Sequence, residues 1–258
     1  MIDVGANLTD KSFLHDLDAV VDRAKSSGVR HVMVTGTDVA TSRHAVDLCA
    51  QYPGYLSSTA GVHPHSAGRV SSGWIDEIEA ITQTECVVAV GETGLDYFRD
   101  FSPRSDQRKI FYAQLELASN VNMPVFIHDR DSQGDLLQIV SDFKQLKAVI
   151  HCFTGSQDLL ISYLELGLYI GITGWVCDER RGLTLRKAVH LIPDDKLLVE
   201  TDAPYLMPRN ISPKPKSRRN EPANLHYVIE VLAAARQQTP EEVVRFTTNN
   251  AKSLFAIG

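Results

Sequence analysis

The stretch CVVAVGETGLD, residues 86–96, joins two kinds of sequence that seldom meet. Cys86 to Val90 is a short apolar run rich in β-branched residues, the pattern of a strand covered on both faces. It leads directly into Gly91-Glu92-Thr93-Gly94. A buried, ionised glutamate is costly unless it is paired or bound to a metal. The flanking glycines remove side-chain bulk from around it. A core strand that ends in a carboxylate points to a site at its C-terminal end, where an α/β barrel keeps its chemistry.

Seven further runs of the same character lie outward from this strand: IDVGAN (2–7), HVMVTG (31–36), LSSTAGVH (56–63), PVFIH (124–128), AVIHCFTG (148–155), LYIGITG (168–174) and LLVETDAP (197–204). Most are rich in Val and Ile and lack the strict alternation of a sheet with one wet face. Helical spacing fills the gaps. Phe13, Leu14, Leu17, Val20, Val21 and Ala24 share a face over 13–27, as do Ile110, Phe111, Leu115 and Ala118 over 105–121. Helices are also predicted over 224–236 and 240–254, the second opened by Thr239-Pro240-Glu241-Glu242, a capping residue, a proline and first-turn acids. Strand and helix alternate eight times with no linker or composition break, which predicts one α/β domain over 1–258, a TIM (β/α)8 barrel. An open doubly wound sheet is the alternative. It is disfavoured because no Gly-rich phosphate fingerprint follows the first run.

Composition sets broad limits. At 43% hydrophobic and 22% charged, the chain is ordinary for a soluble globular protein. A net charge of −6 argues against a general nucleic-acid-coating protein and leaves room for a local basic site. The four cysteines, Cys49, Cys86, Cys152 and Cys177, lie far apart with no C-x-x-C pair, so free thiols in a reducing compartment are expected. No apolar stretch approaches the ~20 residues of a membrane span, and MIDVGANLTD lacks the features of a signal peptide. These features predict a cytoplasmic, monomeric protein with no membrane association.

Chemistry-bearing residues collect where the runs end. The first carries Asp3 and ends at Asn7; the third ends at His63, with His65 just beyond; the fourth holds Glu92, followed by Asp96. The fifth ends at His128, followed by Asp129 and Arg130, the sixth holds His151, and the eighth ends Glu200-Thr201-Asp202. A barrel would bring these imidazoles and carboxylates to one face. Such a set suits Zn²⁺, Mn²⁺ or, with water completing the shell, Mg²⁺. One strand-end histidine is most often just a satisfied hydrogen-bonding group. The weight lies in several independent strands agreeing.

Taken in order, GVHPH (61–65), GETGLDY (91–97), PVFIHDRD (124–131), HCFTG (151–155), ETDAPYL (200–206) and SRRNEPA (217–223) resemble the TatD family of metal-dependent nucleases. GITGWVCDERRGL (171–183) is similar to its bacterial single-strand 3′–5′ exonuclease branch. The resemblance implies a TIM barrel of the metallo-hydrolase superfamily, hydrolysing phosphodiester bonds of single-stranded DNA and also RNA, in repair or turnover. It implies a divalent metal, Mg²⁺ first, Mn²⁺ next and Zn²⁺ less suited. It also implies that Glu92 is a ligand able to bridge two ions, and that His128 and His151 complete one ion site. By the same likeness, Asp202 binds the other ion or handles the attacking water, and His63 contacts the scissile phosphate or the leaving oxygen. His63, Glu92 and Asp202 are then the catalytic set. One departure stands out. Most of the family opens with Asp-x-His-x-His, whereas this chain reads Asp3-Val4-Gly5-Ala6-Asn7. Neither Gly5 nor Asn7 offers an imidazole, so one firm ion site and one weak one are expected.

Substrate contacts are expected from His65, Arg130, Tyr205, Arg218 and Arg219. The last two belong to PRNISPKPKSRRNEP (208–222), a basic stretch after strand eight, where such barrels often hold phosphate. Tyr97, Trp175 and Tyr205 are candidate platforms for unpaired bases. Phe153, Cys152 and Cys177 read as structural, and Asp129, Asp131 and Glu200 as supporting or surface groups. Two rival readings remain. An amide or ester hydrolase on the same barrel is opposed by the basic stretch. A non-catalytic nucleic-acid-binding scaffold is opposed by the retention of Glu92, His128, His151 and Asp202.

Overall fold

Each apolar run becomes a strand of one parallel sheet whose order follows the chain. The computed structural model describes residues 1–258. Its strands are β1 (Ile2–Ala6), β2 (His31–Val34), β3 (Leu56–Ala60), β4 (Val87–Asp96), β5 (Val125–Arg130), β6 (Ala148–His151), β7 (Tyr169–Ile172) and β8 (Leu197–Val199). Ala6 bridges Ala203 across the seam between β1 and β8, with Asn7 N–H donating to the Ala203 carbonyl at 2.6 Å and Asp202 N–H to the Gly5 carbonyl at 2.8 Å. The expected (β/α)8 barrel is the fold.

Helices α1 (Leu17–Ser26), α2 (Val39–Gln51), α3 (Trp74–Thr82), α4 (Arg104–Val121), α5 (Asp135–Ser141), α6 (Gln157–Glu165) and α7 (Leu183–Ala188) follow the first seven strands, and α8 (Leu225–Arg236) and α9 (Pro240–Phe255) follow the eighth. The helix expected over 13–27 begins later. The Asp10 carboxylate accepts from Ser12 N–H and opens a separate 3-10 turn over Lys11–Phe13, leaving Leu14 exposed. At α9 the Thr239 hydroxyl accepts from Glu242 N–H and the Glu242 carboxylate accepts from Thr239 N–H, a closed capping box. No helix is long and apolar enough to cross a membrane.

Alternation along the strands sorts the interior into layers. Ile2, Val4, Met33, Ala89, Phe126, Val149 and Leu198 point into the barrel, where Ala251, Leu254, Phe255 and Ile257 from the C-terminal segment pack under them as a plug. Two residues further along β5, β6 and β8, the same inward parity delivers His128, His151 and Glu200 to the mouth. The outward residues pack under the helices in a larger core of 55 residues.

Candidate active site

Glu92 reaches the mouth through an irregularity. Ala89 faces inward, so simple alternation would turn Glu92 out toward the helices. Between Gly91 and Thr93, β4 advances two residues while β5 advances one, from Phe126 to Ile127. That bulge reverses the parity. Beyond it Glu92 and Asp96 face the mouth, while Leu95 and Tyr97 join the outer core. The glycines make the bulge feasible. At Gly91 and Gly94 φ is +142°, and a Cβ would collide with the carbonyl oxygens of Phe126 and His128 respectively.

Three imidazoles converge on one oxygen. Glu92 Oε1 lies 2.9 Å from His128 Nδ1, 3.2 Å from His151 Nε2 and 3.3 Å from His63 Nε2. Asp96 Oδ2 lies 2.7 Å from His65 Nε2 and 3.4 Å from His128 Nε2. Glu200, fully buried, accepts from the Cys152 N–H at 2.6 Å and faces His151 Nδ1 at 3.0 Å. With Nδ1–H donating to Glu200, a neutral His151 would present the lone pair of Nε2 to the centre, the arrangement typical of a metal-ligating histidine. Asp202 Oδ1 accepts from the Asn7 amide at 3.0 Å.

His63 differs from the other two. Its Nδ1 accepts the His65 backbone N–H at 3.1 Å, so the neutral ring carries its proton on Nε2. Burial pushes this histidine down to about 4, against the pull of Glu92. It is therefore a neutral donor facing the centre. His128 goes the other way: burial would depress it, but hydrogen bonds with Asp96 and Glu92 prevail and raise it to about 9. His151 is raised as well; the charges of Glu200 and Glu92 outweigh its burial. Glu92 is held well below the carboxylate range despite complete burial by the imidazoles of His63, His151 and His128. Burial pushes Asp202 up to about 7; His151 opposes this, and the charges of Glu92 and Glu200 add to it.

This donor set fits a divalent cation. Glu92, Asp96, Glu200 and Asp202 make the mouth rich in negative charge, and two imidazoles hold on to protons to offset it. His63, Glu92 and His128 offer ligand atoms all within 4.8 Å of one another. A cation ligated by Glu92, His128 and His151 would supply that charge directly.

The cleft above has a volume of about 990 Å³ and includes His63, His65, Glu92, His128, Arg130, His151, Asp202 and Tyr205 in its lining. Arg218 and Arg219, the candidates from the basic stretch, are not among its lining residues. The segment begins with Arg209 paired to Asp178 at 3.0 Å, and its end reaches back to the start of the chain. Arg219 forks onto Asp16 with both contacts at 2.7 Å and lies over the Phe13 ring, while Arg218 points to solvent. The positive groups lining the cleft are Lys11, Arg99, Arg130 and Arg181. Tyr97 is also not a platform, being buried with its hydroxyl on Asp135. Trp175 and Tyr205 do line the cleft, and Phe98 joins them. From the sequence, Asp96 is noted at the strand end without an assigned role and Glu200 is read as a supporting or surface group; both face the centre. Equal parity with Glu92 and with Asp202 was the available signal for each.

The family model for TatD-related DNases matches residues 2–256. The chain belongs to this family. It is 49% identical over 264 residues to the 3′–5′ ssDNA/RNA exonuclease TatD of Dickeya dadantii (strain 3937), with 100% of this chain and 98% of that protein covered. Identity to the protein of the same name from Yersinia pseudotuberculosis serotype O:3 (strain YPIII) is 48% over 263 residues, covering 100% of both. The crystal structure of a TatD homologue from Escherichia coli K12 superposes with a TM-score of 0.91 at 26% identity, covering 100% of this chain and 98% of that one. A TatD family hydrolase from Entamoeba histolytica superposes with a TM-score of 0.90 at 28% identity and the same coverage.

Proposed function

We propose that this TatD-family protein is a Mg²⁺-dependent 3′–5′ exonuclease acting on single-stranded DNA and RNA, with Mn²⁺ as a competent substitute. The observation that carries this reading is the convergence of His63, His128 and His151 on Glu92 Oε1 at the floor of a cleft with basic and aromatic walls. Full-length relatives bearing the exonuclease name support the reaction and its polarity.

Glu92, His128 and His151 would hold the principal ion, with Glu200 fixing the ring of His151 and Asp96 that of His128. When bound, the ion polarises a phosphate oxygen and lowers the pKa of water. Asp202 is the base. Its carboxyl is raised toward neutrality and oriented by the Asn7 amide, so it can take a proton from the attacking water. His63 donates its Nε2 proton in a hydrogen bond to the phosphate or to the leaving oxygen. Gly5 and Asn7 supply no imidazole, so a second ion would find only Asp202 among the protein side chains here and would be held weakly, which Mg²⁺ would tolerate better than Zn²⁺. The four free cysteines fit the cytoplasm.

The test is digestion of single- and double-stranded oligonucleotides with Mg²⁺, Mn²⁺, Zn²⁺ or EDTA, following nucleotide release from each end. Glu92→Gln keeps the shape and removes the charge, and should lower kcat by about 10³-fold or more. Near wild-type cleavage by this variant would remove Glu92 from the mechanism. Binding of oligonucleotides without cleavage in any metal would make the protein a scaffold.

A further inference from the structure

One wall of the cleft carries a row of alternating arginines and aromatic rings that the chemistry at Glu92 does not use. The Arg99 guanidinium lies 5.6 Å from the Phe98 ring centre, and Arg130 lies 4.9 Å from the same ring. Arg130 is also 5.5 Å from the Trp175 ring, which Arg181 covers at 4.4 Å. The row therefore crosses from the loop after β4, over the end of β5, to the loop after β7. Carboxylates pin both of its ends. Asp96 Oδ1 accepts the N–H groups of Phe98 and Arg99 at 3.1 and 2.8 Å, and Asp178 Oδ1 accepts those of Arg180 and Arg181 at 2.9 and 3.0 Å. Arg99 and Arg130 form no ion pair, so their charges are free for a ligand. Phe98 is 57% exposed, unusual for a phenylalanine beside a buried polar centre.

We infer that this row is the track for the retained strand of a single-stranded nucleic acid, on the 5′ side of the scissile phosphate, with Phe98 and Trp175 stacking two successive bases and Arg99 and Arg130 meeting the backbone phosphates. The inference rests on the exonuclease reading above. An aromatic face accepts any base, and free guanidinium groups follow a phosphate chain, so the track is indifferent to sequence and selective for unpaired strands. The segments after β1 and β2 line the cleft with Asn7, Thr9, Thr37 and Thr41 beside one acid and one base, Asp10 and Lys11, and carry no run of alternating arginines and rings. That side suits a single leaving nucleotide, whereas the row runs out to solvent and can accept a strand of any length.

The experiment measures KM and kcat for release of 3′ nucleotides from single-stranded oligonucleotides of increasing length, from a dinucleotide to an octanucleotide. The wild-type protein should show a KM that falls with length. Phe98→Ala with Trp175→Ala should erase that advantage, raising the octanucleotide KM by about tenfold or more, with the change on KM rather than kcat. Phe98→Tyr with Trp175→Tyr keeps both π-faces and should retain the advantage. Abasic residues at the second and third positions from the 3′ end should raise the wild-type KM to that of the alanine variant and leave the variant unmoved. An unchanged octanucleotide KM in the alanine variant, or loss of the advantage in the tyrosine variant as well, would overturn the track. So would sensitivity confined to an abasic 3′-terminal residue, which would put the leaving nucleotide on this wall. If wild-type protein releases nothing from any oligonucleotide, the failure belongs to the exonuclease reading itself.

Discussion

Glu200 owes its place to two residues without side chains. A Cβ at Gly5 would collide with Glu200 Oε2 and come within 2.9 Å of Phe126 Cζ, and a Cβ at Gly171 would lie 2.5 Å from Glu200 Oε1. The absence of an imidazole at position 5 is thus matched by a carboxylate that fills the space and orients His151. A histidine there has no room. Even Gly5→Ala should cost about 1–3 kcal/mol and reduce cleavage, because the carboxylate that holds His151 must move. Combined with Glu200→Ala, the stability cost should be smaller than the sum of the two single changes, as read from urea unfolding in a double-mutant cycle. Strict additivity would mean that the two positions do not compete for space. Arg219 makes the opposite kind of prediction. Its fork onto Asp16 is partly exposed, with the two side chains 26% and 35% accessible. Arg219→Ala should therefore cost only about 1 kcal/mol and leave the oligonucleotide KM unaltered. A raised KM would return the basic stretch to the substrate site.

At the scale of elements, the strands were legible because each is a short β-branched run bounded by a change of composition, and burial on both faces leaves a parallel strand few other compositions. Most of the site was legible for the same reason: in β5 and β6 the functional residue lies two places beyond a core residue of the same face. What the sequence could not display is the bulge in β4, since the alternation of Val87 to Asp96 read literally turns Glu92 outward. The cost of burying a carboxylate between glycines pointed to that residue and the family likeness gave it a role; periodicity did neither. In the basic stretch the charge of Arg219 was visible while its partner Asp16, on a distant segment, was not. The helices were clearest where capping chemistry marked their ends, as at Thr239. Helix α9 also has a task that periodicity does not reveal, closing the bottom of the barrel with Leu254 and Phe255. Phe255→Ala should cost about 3 kcal/mol or more. That corresponds to a fall in Tm of roughly 6 °C or more. Because the plug lies at the end of the barrel away from Glu92, kcat measured well below the melting range should stay near that of the wild type. A collapse of kcat without loss of Tm would mean that the two ends of the barrel are coupled.

For the molecule as a whole, the net charge is −6, and four of its carboxylates, Glu92, Asp96, Glu200 and Asp202, gather at the mouth of the barrel around His128 and His151. The fold brings them together at a cost that burial increases, since each carboxylate has left water. A divalent cation held at Glu92, His128 and His151, as proposed above, would offset that repulsion, and it would bind the folded chain alone, because these residues lie far apart in sequence and the unfolded chain has no such site. Its binding is therefore linked to folding. At a free ion concentration of about 100 times Kd, the added stability is about 2.7 kcal/mol. For a chain of this size that is a rise in Tm of roughly 5–10 °C. EDTA-treated protein should melt lower by this amount than the same protein in millimolar Mg²⁺ or Mn²⁺, and the difference should grow with the logarithm of ion concentration. Glu92→Gln should abolish the ion-dependent part, whereas Arg219→Ala, outside the cleft, should keep it. Scanning calorimetry across an ion titration reads all three. A melting temperature indifferent to added ion in the wild-type protein would mean that the cluster of imidazoles around Glu92 is held together by protons alone.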